Sequence, residues 1–293
     1  MLRLPATILL AGALVTPVAA QTPVSTVSVA VDADARALQP GEIVRLTLTT
    51  ASPTDHLAVT AFGHPVTPFK LDARTWQALV GIDLDVPAGP VLVTIEPGAP
   101  LPSTAVVYRL VLKAKAFPTR RLTVNPDFVT PPPGVEARIE AEAAELNGIW
   151  ATSPPTRFWT GEFIRPVPQA ANSAFGSRSV FNGQPRSPHG GADFASPEGT
   201  PVKAPGGGRV VLAKTLYYTG NTVVVDHGLG LVSLFAHFSA ISVHEGDVVT
   251  AGTLLGRVGA TGRVTGPHLH WTLRADGARV DPLSLLALMG TPR

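Results

Sequence analysis

Six of the eight histidines fall between Phe163 and Leu285, and two short stretches there have the residue types to hold a metal ion. Along Gly266-Pro267-His268-Leu269-His270-Trp271-Thr272-Leu273 polar and apolar residues alternate. In a strand, His268, His270 and Thr272 share one face, while Leu269, Trp271 and Leu273 share the other. The apolar face belongs in a core. The opposite face then carries two imidazoles, close enough for one to bind a metal and the other to touch a metal-bound water; two solvent-facing histidines are the plainer alternative. In His189-Gly190-Gly191-Ala192-Asp193 a His and an Asp stand four apart. Two glycines argue against a helix. A loop entering a strand fits better, the glycines letting the backbone fold until both side chains face one point. With no cysteine in the chain, disulfides, thiol catalysis and cysteine-held zinc are excluded, and any metal must rest on His, Asp or Glu, the donors of catalytic zinc sites.

The remaining histidines are less telling. His237 lies in Leu234-Phe235-Ala236-His237-Phe238, apolar enough to be a strand, where a satisfied core histidine is the simplest account. His227 precedes Gly228 in a turn and His244 sits in a polar Glu245-Gly246-Asp247 hairpin; both read as structural or exposed. His244-Glu245 begins like the helical HExxH zinc motif, but Val248 occupies the second histidine's place. His56 and His64, far away in sequence, read as surface or turn residues.

The elements that must carry these residues are mostly strands. The 293-residue chain is 45% hydrophobic and 15% charged, with 29 prolines and 28 glycines, a composition of many turns and short strands, enough for two domains. Residues 24–115 alternate in short runs (Ser25 to Val31, Glu42 to Thr49, Leu57 to Ala61, Trp76 to Ile82, Pro90 to Ile95, Ala105 to Lys113) at the spacing of a β-sandwich. After Pro131-Pro132-Pro133 a helix is expected from Val135 to about Leu146, with Val135, Ile139 and Leu146 on one side and Asn147-Gly148 as its stop. It lies in a linker, 116–160. From 161 to 290 the pattern predicts a compact antiparallel β domain. At the amino terminus, residues 1–20 read as a cleaved export signal: Arg3, an apolar run from Leu4 to Val18, then Val18-Ala19-Ala20 before Gln21. A retained anchor is the alternative. With a net charge of +2 and no Lys/Arg cluster, nothing marks a nucleic-acid partner.

Taken in order, these stretches resemble the lysostaphin/LytM-like zinc endopeptidases of bacterial cell walls. The resemblance runs from Phe163 to Leu285 through Phe175-Gly176, the HGGAD stretch, Gly199-Thr200-Pro201-Val202, Asp226-His227-Gly228, Phe235-Ala236-His237-Phe238, Gly246-Asp247 and Thr261 to Trp271. It implies one zinc ion per chain held by His189, Asp193 and His270, with His268 and His237 as the catalytic pair. Phe235 stands where the family often has Tyr, which removes a hydroxyl and leaves the metal ligands intact. The preceding residues resemble the immunoglobulin-like modules found before some such peptidases. A zinc ion on two imidazoles and a carboxylate keeps a position for water, lowers that water's pKa toward ~7 and polarises a scissile carbonyl. His268 would then act as general base, and His237 as donor to the oxyanion or leaving amine.

The resemblance thus implies an exported enzyme of the periplasm, envelope or exterior, cutting peptidoglycan peptides, with no lasting membrane span and with an unidentified activator as an open partner. Two rival readings stand beside it. One is a silent or latent relative that binds peptidoglycan and regulates another hydrolase; the complete set of five histidine and aspartate positions opposes it. The other is a carrier module, suggested by Ala204-Pro205-Gly206 and Gly246-Asp247-Val248-Val249, but neither Lys203 nor Lys214 sits at a convincing hairpin tip.

Overall fold

The computed structural model describes residues 29–98, 104–123, 131–171 and 175–290. The expected signal, 1–20, and the first part of the Ser25 to Val31 run lie outside them. The described chain is mainly β, as expected. Its first eight strands are β1 (Val29–Asp34), β2 (Ile43–Thr50), β3 (Leu57–Ala61), β4 (His64–Val66), β5 (Phe69–Lys70), β6 (Thr75–Gly81), β7 (Gly89–Pro97) and β8 (Val106–Leu112). They form two antiparallel sheets in the orders β1-β2-β6-β5 and β4-β3-β7-β8. Alternation explains the layering: Val44, Leu46 and Leu48 of β2 and Trp76, Ala78 and Val80 of β6 point into a core shared with Val59, Val93 and Ile95 of the second sheet. The strands β4 and β5 are short and were not apparent from the alternation.

Next come β9 (Thr119–Leu122), helix α1 (Glu136–Ala151), β10 (Arg178–Phe181), β11 (Gln184–Pro185), β12 (Gly191–Phe194), β13 (Pro201–Lys203), β14 (Gly208–Leu216), β15 (Gly220–Gly228), β16 (Leu231–Ile241), β17 (Val248–Val249), β18 (Leu254–Val258), β19 (Leu269–Ala275), β20 (Ala278–Val280) and helix α2 (Pro282–Met289). A nine-stranded sheet runs β12-β19-β16-β15-β14-β17, with β13, β18 and β20 paired alongside. All its pairs are antiparallel. A separate small sheet, β11-β10-β9, contains the one parallel pairing between these named strands, β9 with β10.

Two readings need correction. Helix α1 does not stop at Asn147-Gly148 but continues to Ala151. The extra turn carries Ile149 and Trp150, which with Leu146 cover Leu212, Val224 and Leu234 on the sheet face. That burial outweighs the ~1 kcal/mol a helical glycine costs. The second concerns α2, a short helix in a domain expected to contain almost none. Asp281 caps it, its carboxylate accepting from Leu283 N, and Pro282 opens it, a start signal present in the sequence.

Sheet β1-β2-β6-β5 is apolar on both faces where it meets the later strands. Ile43, Phe69 and Leu79 belong to the same buried cluster as Phe194, Phe235, Trp271 and Leu285. Around this contact Arg36 bridges Glu42 and Asp281 at 2.8 and 2.7 Å, Arg279 pairs with Asp83 at 2.6 Å, and Ile43 N donates to Ser284 Oγ at 2.9 Å. Glu42 is fully buried, so its charge depends on Arg36 and on Lys115 at 3.6 Å. Among the described residues no helix is long and apolar enough to cross a membrane.

Candidate metal centre

Strand β19 alternates as its sequence requires. Leu269, Trp271 and Leu273 are fully buried. Trp271 stacks on Phe235 and Phe194, with ring centroids 5.9 and 6.4 Å away, and its Nε1 donates to Ser233 Oγ at 3.0 Å. This anchorage turns His270 and Thr272 to the opposite face. Strand β12 pairs beside it with Asp193 directly across from His270, so their side chains emerge as same-face neighbours. Gly191 faces Thr272. A Cβ there would collide with the Trp271 carbonyl, so the second glycine of HGGAD lets β12 approach β19 closely. His189 precedes β12 in an irregular segment, as the two glycines predicted.

Three ligand atoms converge. His270 Nδ1 lies 2.7 Å and His189 Nε2 3.1 Å from Asp193 Oδ1, and the two imidazole nitrogens are 3.2 Å apart. Bonds of about 2.0–2.1 Å at tetrahedral angles set ligand atoms roughly 3.3 Å apart, so the cluster fits a small divalent cation. Thr272 Oγ1 is 2.9 Å from His270 Nε2. With Nε2–H donating to Thr272, the Nδ1 lone pair faces the other two donors, the orientation a bound cation requires. Asp193 is held well below the usual carboxylate range: burial alone would raise it, but the contacts from His189 and His270 overcome that. Burial pushes His270 down, partly offset by Asp193, which keeps a neutral, metal-binding imidazole.

His237 and His268 stand beside this trio. Their ring centroids are 4.8 Å apart, and His237 lies 6.1 Å from His270. His268 Nε2 is 3.8 Å from Asp193 Oδ1. His237 sits in β16, where the register with β15 shifts between Asn221 and Val223. Its φ is +67°, a strained value for a residue with a Cβ and one that gathers at working sites. Two carbonyls fix the ring states. Nδ1–H of His237 donates to Thr261 O at 2.9 Å, and Nδ1–H of His268 donates to Gly266 O at 3.0 Å. Carbonyls only accept, so each neutral ring presents a bare Nε2. Burial pushes His237 down to about 4, with smaller contributions from His268 and His270 against the Thr261 bond.

All five residues expected at a site therefore come together, and the other four histidines stay apart. His244, His56 and His64 are exposed. His227 is fully buried with both ring nitrogens engaged, at Gly207 O and Ser233 Oγ. The sequence did not single out Thr261 or Gly266, which act through backbone oxygens and leave no side-chain signature.

Two histidines and a carboxylate converging on one point of a β-sheet, with two more histidines alongside, define a metal-dependent hydrolase type of centre. The family model for peptidase family M23 matches residues 187–282, which hold all five residues. A crystal structure from Pseudomonas aeruginosa, assigned to peptidase M23, is 32% identical, with 87% of this chain and 96% of that one covered and a TM-score of 0.68. The chain belongs to peptidase family M23. Peptidoglycan DD-endopeptidase ShyA of Vibrio cholerae is 46% identical over 96 residues, and DD-carboxypeptidase/endopeptidase Mpg of Neisseria meningitidis 44% over 97. Each match spans 33% of this chain and 22% of the relative's length.

Proposed function

We propose that the chain is a zinc endopeptidase that hydrolyses peptide bonds in the stems or cross-bridges of peptidoglycan. The observation that carries this reading is the convergence of His189, Asp193 and His270 within 4.8 Å of one another, with two histidines presenting bare Nε2 atoms beside them. Zinc, when bound, supplies Lewis acidity toward a water and the scissile carbonyl. The protein's own groups handle the protons. His268 takes one at Nε2 while its Nδ1–H stays on Gly266 O, and the imidazolium formed is stabilised by Asp193 across 3.8 Å. His237 is neutral at rest and presents an acceptor, so it donates to an oxyanion or leaving amine only after gaining a proton. A donor that is charged at rest would be disfavoured in this buried position.

The names of the relatives put bonds between D-residues first among candidate substrates. Cell-wall peptides lie outside the cytoplasm, which accords with the expected signal at 1–20 and with a periplasmic or extracellular enzyme. The preceding strands form an immunoglobulin-like sandwich in this reading: the orders β1-β2-β6-β5 and β4-β3-β7-β8 match the two-sheet arrangement of that fold. The regulatory alternative is disfavoured because all five site positions are filled and mutually placed.

The test measures zinc content and muropeptide release on purified peptidoglycan for the parent and His270→Ala. The expected result is one zinc and peptide-cleaved products for the parent, with both lost in the variant. Zinc binding without cleavage would favour the regulatory reading, and no metal in the parent would overturn the assignment.

A further inference from the structure

Two of the three ligands, Asp193 and His270, ride on paired strands, but His189 does not. Its main chain is tied on both sides to one short segment: His189 N donates to Ser177 O at 2.9 Å, and His189 O accepts from Gly176 N at 2.8 Å. Residues 176 and 177 therefore help set where this ligand sits.

That segment is gripped by the connecting segments of the amino-terminal sheets. Gly176 is buried with φ +78°, and the ring of Phe117 occupies the space a Cβ would take, with Leu84 Cδ1 at 2.7 Å from the same point. Phe175 is buried against Gly41, where a Cβ would meet the ring at 2.5 Å. Phe117 and Phe175 meet edge to face at 6.3 Å. One residue on, Arg178 N donates to Pro118 O at 2.8 Å, and β9 then runs parallel to β10 over four residue pairs. Every one of these supports is contributed by residues before 123, and none by the nine-stranded sheet.

We propose that Phe117 and Leu84 are positioning residues for the metal centre: the amino-terminal sandwich serves as the mount for the His189 loop, and metal affinity depends on it. This rests on His189 being a zinc ligand. It gives the sandwich a task that needs no ligand of its own, since the grip acts through side-chain packing and backbone contacts inside the molecule.

The experiment uses the full chain and measures zinc affinity by chelator competition, with hydrogen exchange across 175–190. Phe117→Ala and Leu84→Ala should each weaken zinc roughly 10-fold or more, the scale of changes to groups that orient ligands, and should speed exchange in that segment. Val107→Ala, on an exposed sheet face, should change neither. In a His189→Ala background Phe117→Ala should add nothing, because the ligand through which it acts is gone, whereas general destabilisation would still add. Unchanged affinity in a folded Phe117→Ala overturns the proposal; if that variant does not fold, Leu84→Ala decides by the same criterion. A parent that binds no zinc fails at the earlier step, with the ligand assignment itself.

Discussion

His227 and His237 lie near opposite ends of the β15–β16 hairpin, both buried, both pushed down to about 4 chiefly by burial. By burial and by acidity they are twins. Their hydrogen bonds separate them. His227 Nδ1–H donates to Gly207 O at 2.7 Å and its Nε2 accepts from Ser233 Oγ–H at 2.9 Å, while that hydroxyl accepts from Trp271 Nε1. Every proton in this chain has one place to go. His237 uses Nδ1 on Thr261 O, which leaves its Nε2 free of that bond in a ring 4.8 Å from His268. A buried histidine with both nitrogens occupied holds structure together; one with a bare nitrogen turned toward a ligand cluster has chemistry left to do.

The sharpest way to break this contrast is to remove each ring. His237→Ala should retain zinc and folding but lower kcat/KM on peptidoglycan by about 10²–10⁴, the range for losing a proton-transfer group. His227→Ala should do the reverse. It leaves a cavity and strands the Ser233 and Gly207 groups, costing about 2–4 kcal/mol in urea unfolding, with activity per folded molecule close to the parent's. Full activity in His237→Ala would dissolve the distinction.

A smaller effect follows from acidity. The folded-state pKa of His227, about 4, lies below the ordinary 6.5, so between those values the unfolded chain binds more protons. The stability conferred by the neutral ring is complete above pH 6.5, declines as pH falls toward 4, and declines no further below it. At pH 5 the expected loss is about 2 kcal/mol. Urea midpoints at pH 7 and pH 5 should show it in the parent, and His227→Gln should shed roughly that share of the pH dependence. An equal pH response in both proteins would mean that other groups govern it.

Much of the centre was legible because strands advertise their faces. In β19 the period-two alternation separates the Trp271 side from the His270 side, and the glycines of HGGAD forecast a loop running into a strand. His237 was legible only through family resemblance. Its outward turn comes from a register shift and a positive φ inside an apolar run, and neither leaves a local pattern. The grip of Phe117 on Gly176 was hidden for another reason: the two residues lie in irregular segments far apart in sequence, just ahead of β9 and β10, and only tertiary packing brings them together. Helix α1 was misread at its end because Asn147-Gly148 is a strong local stop that distant burial of Trp150 overrides.

Thr272 offers the finest test, since it was read as a same-face neighbour of the histidines without a task. Its hydroxyl meets His270 Nε2 at 2.9 Å and so selects the tautomer whose Nδ1 lone pair points at Asp193 and His189. Thr272→Val keeps the shape and the strand propensity while deleting the acceptor. His270 then loses its orienting partner but not its place on the strand. Zinc affinity should fall about 10-fold, worth about 1.4 kcal/mol, with the weakening reversed in Thr272→Ser. Because His237 and His268 take their orientation from Thr261 and Gly266 instead, kcat at saturating zinc should stay near the parent value. A fall in kcat with unchanged zinc affinity would assign Thr272 to the substrate side of the centre, and the separation drawn here between holding the metal and moving the proton would have to be redrawn.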